Sequence, residues 1–455
     1  MDFIHIPHKI KHFFVEKFEY FRYLFCCLLL TFMLIRIINI YSLIPPIIDS
    51  IIFGFCAILG FFLVLLNFYL NKLKNQSKSL ILFWIAILIS SLVNIKYGIF
   101  ANIKELVWCA IYFFLIYPKC ENNTNLFNKV NRICSICLLI ISSLSLLTFI
   151  FQTNYCFALP DITNIYLKVP YVRFGFTENR LFGLYVNPNT ASKIIFLSIL
   201  FIFHNFSKKK FKKNIIFNII YITIQFFYII LSGSRGVILS SLIIIFLIFL
   251  GYIHKQHSLR SIKKNKFSTI IYSIILSLFF CIFIHLIFIS IKHFCSFIPN
   301  LVNKNEISKK IEMHRIDVSE SGDISNSRFK IWASAIEIFK KNLFFGTSPR
   351  NLVLYAQDVL PDSFIAKEKY LAVHNLYLGI FVYTGILGAI FFYYFLTKKA
   401  FKILNFLVEY IKKCNYINIK IFVIITIAIY ACSEPEVIFT NNPDTLILWL
   451  ILGEF

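Results

Sequence analysis

Residues 215–250 read IIFNIIYITIQFFYIILSGSRGVILSSLIIIFLIFL, and Arg235 is the one charged residue in the stretch. Each apolar half, with a few flanking residues at about 1.5 Å apiece, approaches the length that crosses a hydrocarbon layer about 30 Å thick. Ser232-Gly233-Ser234-Arg235-Gly236 breaks the run with turn-forming residues, ending one span and starting the next. Similar runs recur outward along the 455 residues, which are 58% hydrophobic and 15% charged. The mean hydropathy is +0.75, far above that of a soluble chain. No alternating pattern of about ten residues suggests a barrel. The chain therefore reads as an all-α polytopic membrane protein.

Twelve spans are predicted, at about 23–40, 47–70, 80–94, 103–117, 133–151, 190–205, 215–231, 237–253, 268–291, 375–396, 419–432 and 444–455. With the N-terminus inside, the cytoplasmic segments carry 26 Lys and Arg, whereas the short outer connections carry 3. That asymmetry predicts an N-in, C-in topology. It also explains the net charge of +24 as topogenic, attracted to anionic headgroups, and no basic domain points to nucleic acid. The first 22 residues are basic and aromatic and run into the first span, as in a signal anchor. Most of the 12 cysteines lie in apolar runs, including Cys134 and Cys137, and act there as small hydrophobes. Cys156 and Cys295 fall in outer loops and are candidates for pairing.

One connection is long. Residues 292–374 hold 12 Lys/Arg and 9 Asp/Glu, and a loop of this length inside a compact protein is usually functional or disordered. The chain thus divides into spans one to nine (1–291), a large extracytoplasmic loop (292–374) and spans ten to twelve (375–455). Within the loop, the polar stretch 303–326 reads as mobile. Phe329, Trp332, Ile336 and Phe339 recur at helical spacing and predict an amphipathic helix over 327–345, ended by Gly346. Beyond span ten, the basic stretch 398–413 reads as a headgroup-associated linker.

Four polar signatures sit at the outer ends of spans. Arg180 precedes Asn187-Pro188-Asn189, where Pro188 suits a first helical turn. Arg235 lies in the Gly-flanked turn, at a helix start whose N–H groups favour anions. Arg328 opens the amphipathic helix of the large loop. His374-Asn375 lies where that loop returns to the membrane, with Asn375 set to cap the next span, which continues to Thr384-Gly385-Ile-Leu-Gly388. Arg173 is a further candidate, and Lys193, one turn inside its span, either snorkels outward or joins the same cationic pocket. Singly, each cation reads as an interfacial anchor and the histidine as structural. Together they suit a phosphate-bearing lipid headgroup, with a histidine to move a proton. Nearby carboxylates are few: Glu178, Asp358, Asp362, Glu434 and Glu436. No DxD pair, P-loop or zinc spacing appears, so neither a metal nor a cofactor is expected.

The order of these signatures across residues 170–396 resembles the O-antigen ligase and O-antigen polymerase superfamily. The resemblance implies a GT-C-like glycosyltransferase of a bacterial inner membrane, with its active site facing outward. Its donor would be an undecaprenyl-pyrophosphate-linked oligosaccharide, with membrane lipid around it and a flippase and a chain-length regulator as partners. It implies pyrophosphate binding by Arg180, Arg235 and Arg328, a catalytic role for His374, and support from Asn187, Asn189 and Asn375. Polymerisation of repeat units for a capsule, O-antigen or exopolysaccharide is the expected job. Ligation of a finished chain to lipid A core or protein is the alternative. A flippase would place charges near mid-span, yet only Arg36 and Lys193 interrupt the expected span interiors.

Overall fold

Apolar runs bounded by Pro, Asn and Gly fold into helices because a backbone inside a bilayer must satisfy its own polar groups. The computed structural model describes residues 8–70, 77–118, 123–158, 171–206, 215–260, 266–299, 311–313, 323, 325–369, 372–413, 418–434 and 438–455. His314, Glu436 and most of the polar stretch 303–326 lie outside the described residues.

The first nine helices are α1 His8–Arg36, α2 Pro46–Tyr69, α3 Lys78–Val93, α4 Phe100–Ala110, α5 Asn123–Ile150, α6 Pro188–Phe206, α7 Ile215–Ser232, α8 Arg235–Arg260 and α9 Lys266–Cys295. A π-turn, Ile111–Ile116, extends α4. The large connection then holds α10 Arg328–Lys341, α11 Leu352–Val359 and α12 Phe364–Glu368. After it come α13 Leu376–Lys413, α14 Ile419–Ala431 and α15 Pro443–Leu452. Each expected span coincides with a helix. Seven are long and apolar enough to cross a membrane: Glu16–Arg36, Pro46–Tyr69, Arg132–Ile150, Ile215–Ser232, Arg235–Gln256, Ile270–Cys295 and Leu376–Ile411. Lys78–Val93, Pro188–Phe203, Ile419–Ala431 and Pro443–Leu452 are apolar but shorter.

Among the described residues, strands form in one place. β1 Tyr155–Ala158, β2 Tyr171–Thr177 and β3 Arg180–Gly183 form a small antiparallel sheet in that order. Glu178 and Asn179, both at positive φ (53° and 56°), make the two-residue turn between β2 and β3. That is the turn geometry a tight hairpin demands. The sheet docks on the first connection, where the Asn39 side chain donates to the carbonyls of Arg173 (2.7 Å) and Gly183 (3.2 Å).

The Thr384–Gly388 signature has a structural cause. Gly385 (φ 63°, ψ −168°) breaks α13 into two helical segments. The backbone groups freed by the break pair with the loop that follows α10. Thr347 and Ser348 N–H donate to the carbonyls of Val382 (2.8 Å) and Tyr383 (3.0 Å), and Ile386 N–H donates to the Leu343 carbonyl (2.8 Å). Gly346, at φ 67°, permits the approach, since a Cβ there would lie 2.5 Å from the Val382 carbonyl oxygen. The Asn94 and Asn342 side chains donate to the Gly346 carbonyl at 2.8 and 2.7 Å. The large connection is thereby bolted into the bundle.

Four expectations are corrected here. The amphipathic helix is present, but it ends at Lys341, and Gly346 serves the docking loop instead. Its buried stripe is Ile331, Ser334, Ala335 and Ile338, while Phe329 and Ile336 are exposed. Small residues make that face fit closely, with Ser334 Oγ accepting the Ile365 N–H at 3.1 Å. The basic stretch after residue 397 continues α13 as helix to Lys413. Cys156 and Cys295 are free thiols, the first exposed and the second buried. Among the described residues, Arg22, Glu105, Arg180 and Asp444 are buried charges besides Lys193, whereas Arg36 is part-exposed. Arg22 donates to the carbonyls of Leu115, Ile116 and Pro118 at 2.7, 2.7 and 2.9 Å, capping the end of the α4 extension.

Candidate functional site

Asn187 caps α6: its Oδ1 accepts the Asn189 N–H at 2.9 Å, and Pro188 takes the first helical position. Asn189 Oδ1 in turn accepts from Arg180 Nη2 at 2.6 Å. Arg180 Nε donates to the Ser232 carbonyl, the end of α7, at 2.8 Å. The β2–β3 hairpin thus delivers a buried guanidinium, 6% exposed, to the Ser-Gly-Ser-Arg turn. Gly233, at φ 63°, reverses the chain there, and α8 begins at Arg235, which is exposed.

Gly236 packs against the Tyr430 ring, and a Cβ at that glycine would lie 3.2 Å from Tyr430 Cε1. The start of α8 therefore lies beside the end of α14. Glu434 follows directly, with its N–H donating to the Tyr430 carbonyl (2.9 Å). Its Oε1 meets Arg328 Nη2 at 3.3 Å. His374 joins the same group. Burial pulls its pKa below the ordinary 6.5, the Glu434 charge pushes it back up, and the Arg328 charge lowers it again. His374 also holds φ at 53°, an uncommon backbone state for a side-chain-bearing residue, of the kind found at functional sites. Asn375 caps α13 as its sequence position suggested, its Oδ1 accepting the Leu378 N–H at 3.1 Å.

Six of the seven candidate residues fall in two joined groups, and the seventh, Asn375, caps the helix after His374. Arg328 pairs with Glu434, and the charges of both act on His374. Arg180, Asn187 and Asn189 brace the turn that presents Arg235. Lys193 neither snorkels nor joins them: its Nζ meets Asp444 Oδ2 at 2.7 Å, with the side chains 6% and 1% exposed. Asp444 lies in the first turn of α15, where a carboxylate suits the helix dipole. Arg173 is paired with Glu178 at 2.6 Å across the hairpin turn.

Residues 220–393 match the family model Wzy_C, O-antigen ligase. The match runs from α7 to α13 and contains Arg235, Arg328, His374 and the Gly385 break. It bears out the resemblance to the O-antigen ligase and polymerase superfamily, and with it a membrane enzyme of that type. Arg180, Asn187, Asn189 and Glu434 lie outside the O-antigen ligase segment, and the fold carries them to it. No curated protein matches the chain.

Glu434 is the partner that sequence reasoning did not single out. Its signal was its rarity, an acid in a connection without any Lys or Arg. Two further ion pairs at this end, Arg36–Asp49 (3.3 Å) and Arg350–Glu105 (2.6 Å), had no local signature.

Proposed function

We propose that this protein polymerises undecaprenyl-pyrophosphate-linked repeat units at the outer face of a bacterial inner membrane. A flippase supplies the units and a chain-length regulator acts on the product. The observation that carries this reading is the grouping of Arg328, Glu434 and His374 beside the turn that presents Arg235. The 26-to-3 bias of Lys and Arg supports an outward-facing position for that end of the bundle.

The acceptor hydroxyl oxygen attacks the anomeric carbon of the donor sugar. The bond from that carbon to the pyrophosphate oxygen breaks, and the lipid pyrophosphate leaves with the electron pair. Arg235 and Arg328 neutralise the charge that grows on it. Arg180 holds the Arg235 turn and adds its own positive charge behind it. His374 accepts the hydroxyl proton. Burial and Arg328 keep it neutral near pH 7, which a base requires, while Glu434 stabilises the imidazolium that forms.

Deleting the gene in its host and separating lipid-linked and surface glycans tests the reading. Single repeat units on lipid, with no long chains, are expected. Full-length chains stranded on the carrier would instead establish ligation, the reading that the family model's description favours. Absence of lipid-linked glycan at the outer face would indicate a flippase.

Arg235→Lys should lower polymer yield by about tenfold or more with normal protein level. A lysine keeps the charge but loses the planar fork that grips two phosphate oxygens. Wild-type polymer in that variant would reduce Arg235 to an anchor.

A further inference from the structure

A separate hollow of about 300 Å³ opens at the same end of the bundle, among the ends of α1, α2, α4, α6 and α15. Neither Arg235, Arg328, His374 nor Glu434 lines it. Its floor and walls are polar groups locked in place. Arg36 and the Tyr41 hydroxyl hold Asp49, at 3.3 and 3.0 Å. Arg350 grips the buried Glu105 through Nε (2.7 Å) and Nη2 (2.6 Å). Ser42, Lys104, Thr190, Thr440, Asn441 and Asn442 add to the polar lining, and the largely buried Trp108 borders it.

This chemistry fits a sugar better than an anion. A sugar ring shows hydroxyls that both donate and accept, with C–H faces between them. Paired carboxylate and guanidinium groups, amides and a hydroxyl answer the first, and an aromatic ring answers the second. Two of the three lining cations, Arg36 and Arg350, are ion-paired, and the third, Lys104, acts on Glu105, so a pyrophosphate would have to sit against Asp49 and Glu105. The volume lies at the lower end of the range of about 300–1,000 Å³ for small-ligand pockets.

The hollow also adjoins the reactive group. Asn187 lines it and caps the helix whose Asn189 holds Arg180. Phe439 lines it as well, and its ring packs edge-on to Tyr383 at 5.7 Å. The Tyr383 hydroxyl accepts the N–H of Val373, the residue before His374, at 3.2 Å. We propose that this hollow is a saccharide subsite that holds the sugar rings next to the reacting one. The link to catalysis rests on the function proposed above, whereas saccharide binding is measurable without it.

The test uses full-length protein in lipid nanodiscs and a lipid-free, phosphate-free oligosaccharide released from the host's own surface polysaccharide. Binding is followed by calorimetry. Wild type and His374→Ala should bind it equally. Thr190→Trp, which fills the hollow, and Asn442→Leu, which removes an amide from its rim, should each weaken binding at least tenfold. Their thermal unfolding should match that of wild type. No binding by wild type, or unchanged binding in both hollow variants, overturns the proposal. So does inorganic pyrophosphate binding that is lost in the same two variants, since that makes the hollow an anion site. If His374→Ala cells make normal polymer while the hollow variants still lose the oligosaccharide, the base assignment fails and the subsite stands.

Discussion

Cells carrying His374→Ala in place of the native gene should make no long polymer, while the protein inserts in the membrane at its normal level. A positioned base contributes roughly 10²–10⁴ in rate, enough to leave only single repeat units on a gel. Normal chain length in that variant would sink the catalytic role. The pH profile supplies a sharper readout. Burial, the largest influence, lowers the His374 pKa from 6.5, Glu434 opposes this, and Arg328 adds to it. The imidazole is then free to accept a proton at neutral pH, and activity should fall only on the acid side, at pH values under 6.5. The same shift bears on stability. The folded state favours the neutral ring, so stability is intact above 6.5 and declines as pH falls toward the lowered folded value. Glu434→Gln removes the one charge that raises the pKa. Its acid limb should move to still lower pH, and its neutral-pH rate should drop because the imidazolium loses its counter-charge. An unshifted acid limb would show that Glu434 positions Arg328 alone.

The membrane fold was legible because its cause is local. Uncharged runs of about 20 residues have to become helices wherever they lie, and each expected span does coincide with one. The Asn187 and Asn375 caps were legible for the same reason, since a cap bonds within three residues of itself. The hairpin was missed because its signal is two residues, Glu178 and Asn179, in a stretch with little strand alternation. Pairings across the bundle left no trace in sequence. Glu434 stands 106 residues from Arg328, and Arg350 stands 245 from Glu105. Lys193 illustrates the limit most directly. One turn inside a span, it reads as a snorkelling cation, yet α15 supplies Asp444, and a buried pair forms. The register of α10 was misread for a related reason. Large aromatics suggested the buried stripe, but the neighbouring backbone comes close enough to admit only Ser334 and Ala335 at the centre of the contact.

The second large effect lies away from the reacting groups. Gly385→Val should cut the level of folded protein severely and abolish polymer with it. The native φ of 63° costs a non-glycine residue about 1–2 kcal/mol before any contact is counted, and a β-branched side chain tolerates it worst. A Cβ at this position would also run into the Phe344 carbonyl oxygen and the Phe345 amide nitrogen. Relief of the clash requires the 343–348 loop to lift away. That move strands the carbonyls of Val382 and Tyr383, both in fully buried residues, and the Ile386 N–H. It also loosens the C-terminal end of α10, the helix that Arg328 opens, from the break in α13, the helix that follows His374. Gly54→Ala is the control, because Gly54 is helical and has nothing within 4 Å of an added Cβ. That variant should fold and polymerise like wild type, with stability unchanged or slightly raised by better helix propensity. Folded-protein yield in detergent and thermal unfolding distinguish the two. A Gly385→Val protein as abundant and as heat-resistant as Gly54→Ala would mean that the break in α13 is not what anchors the large connection.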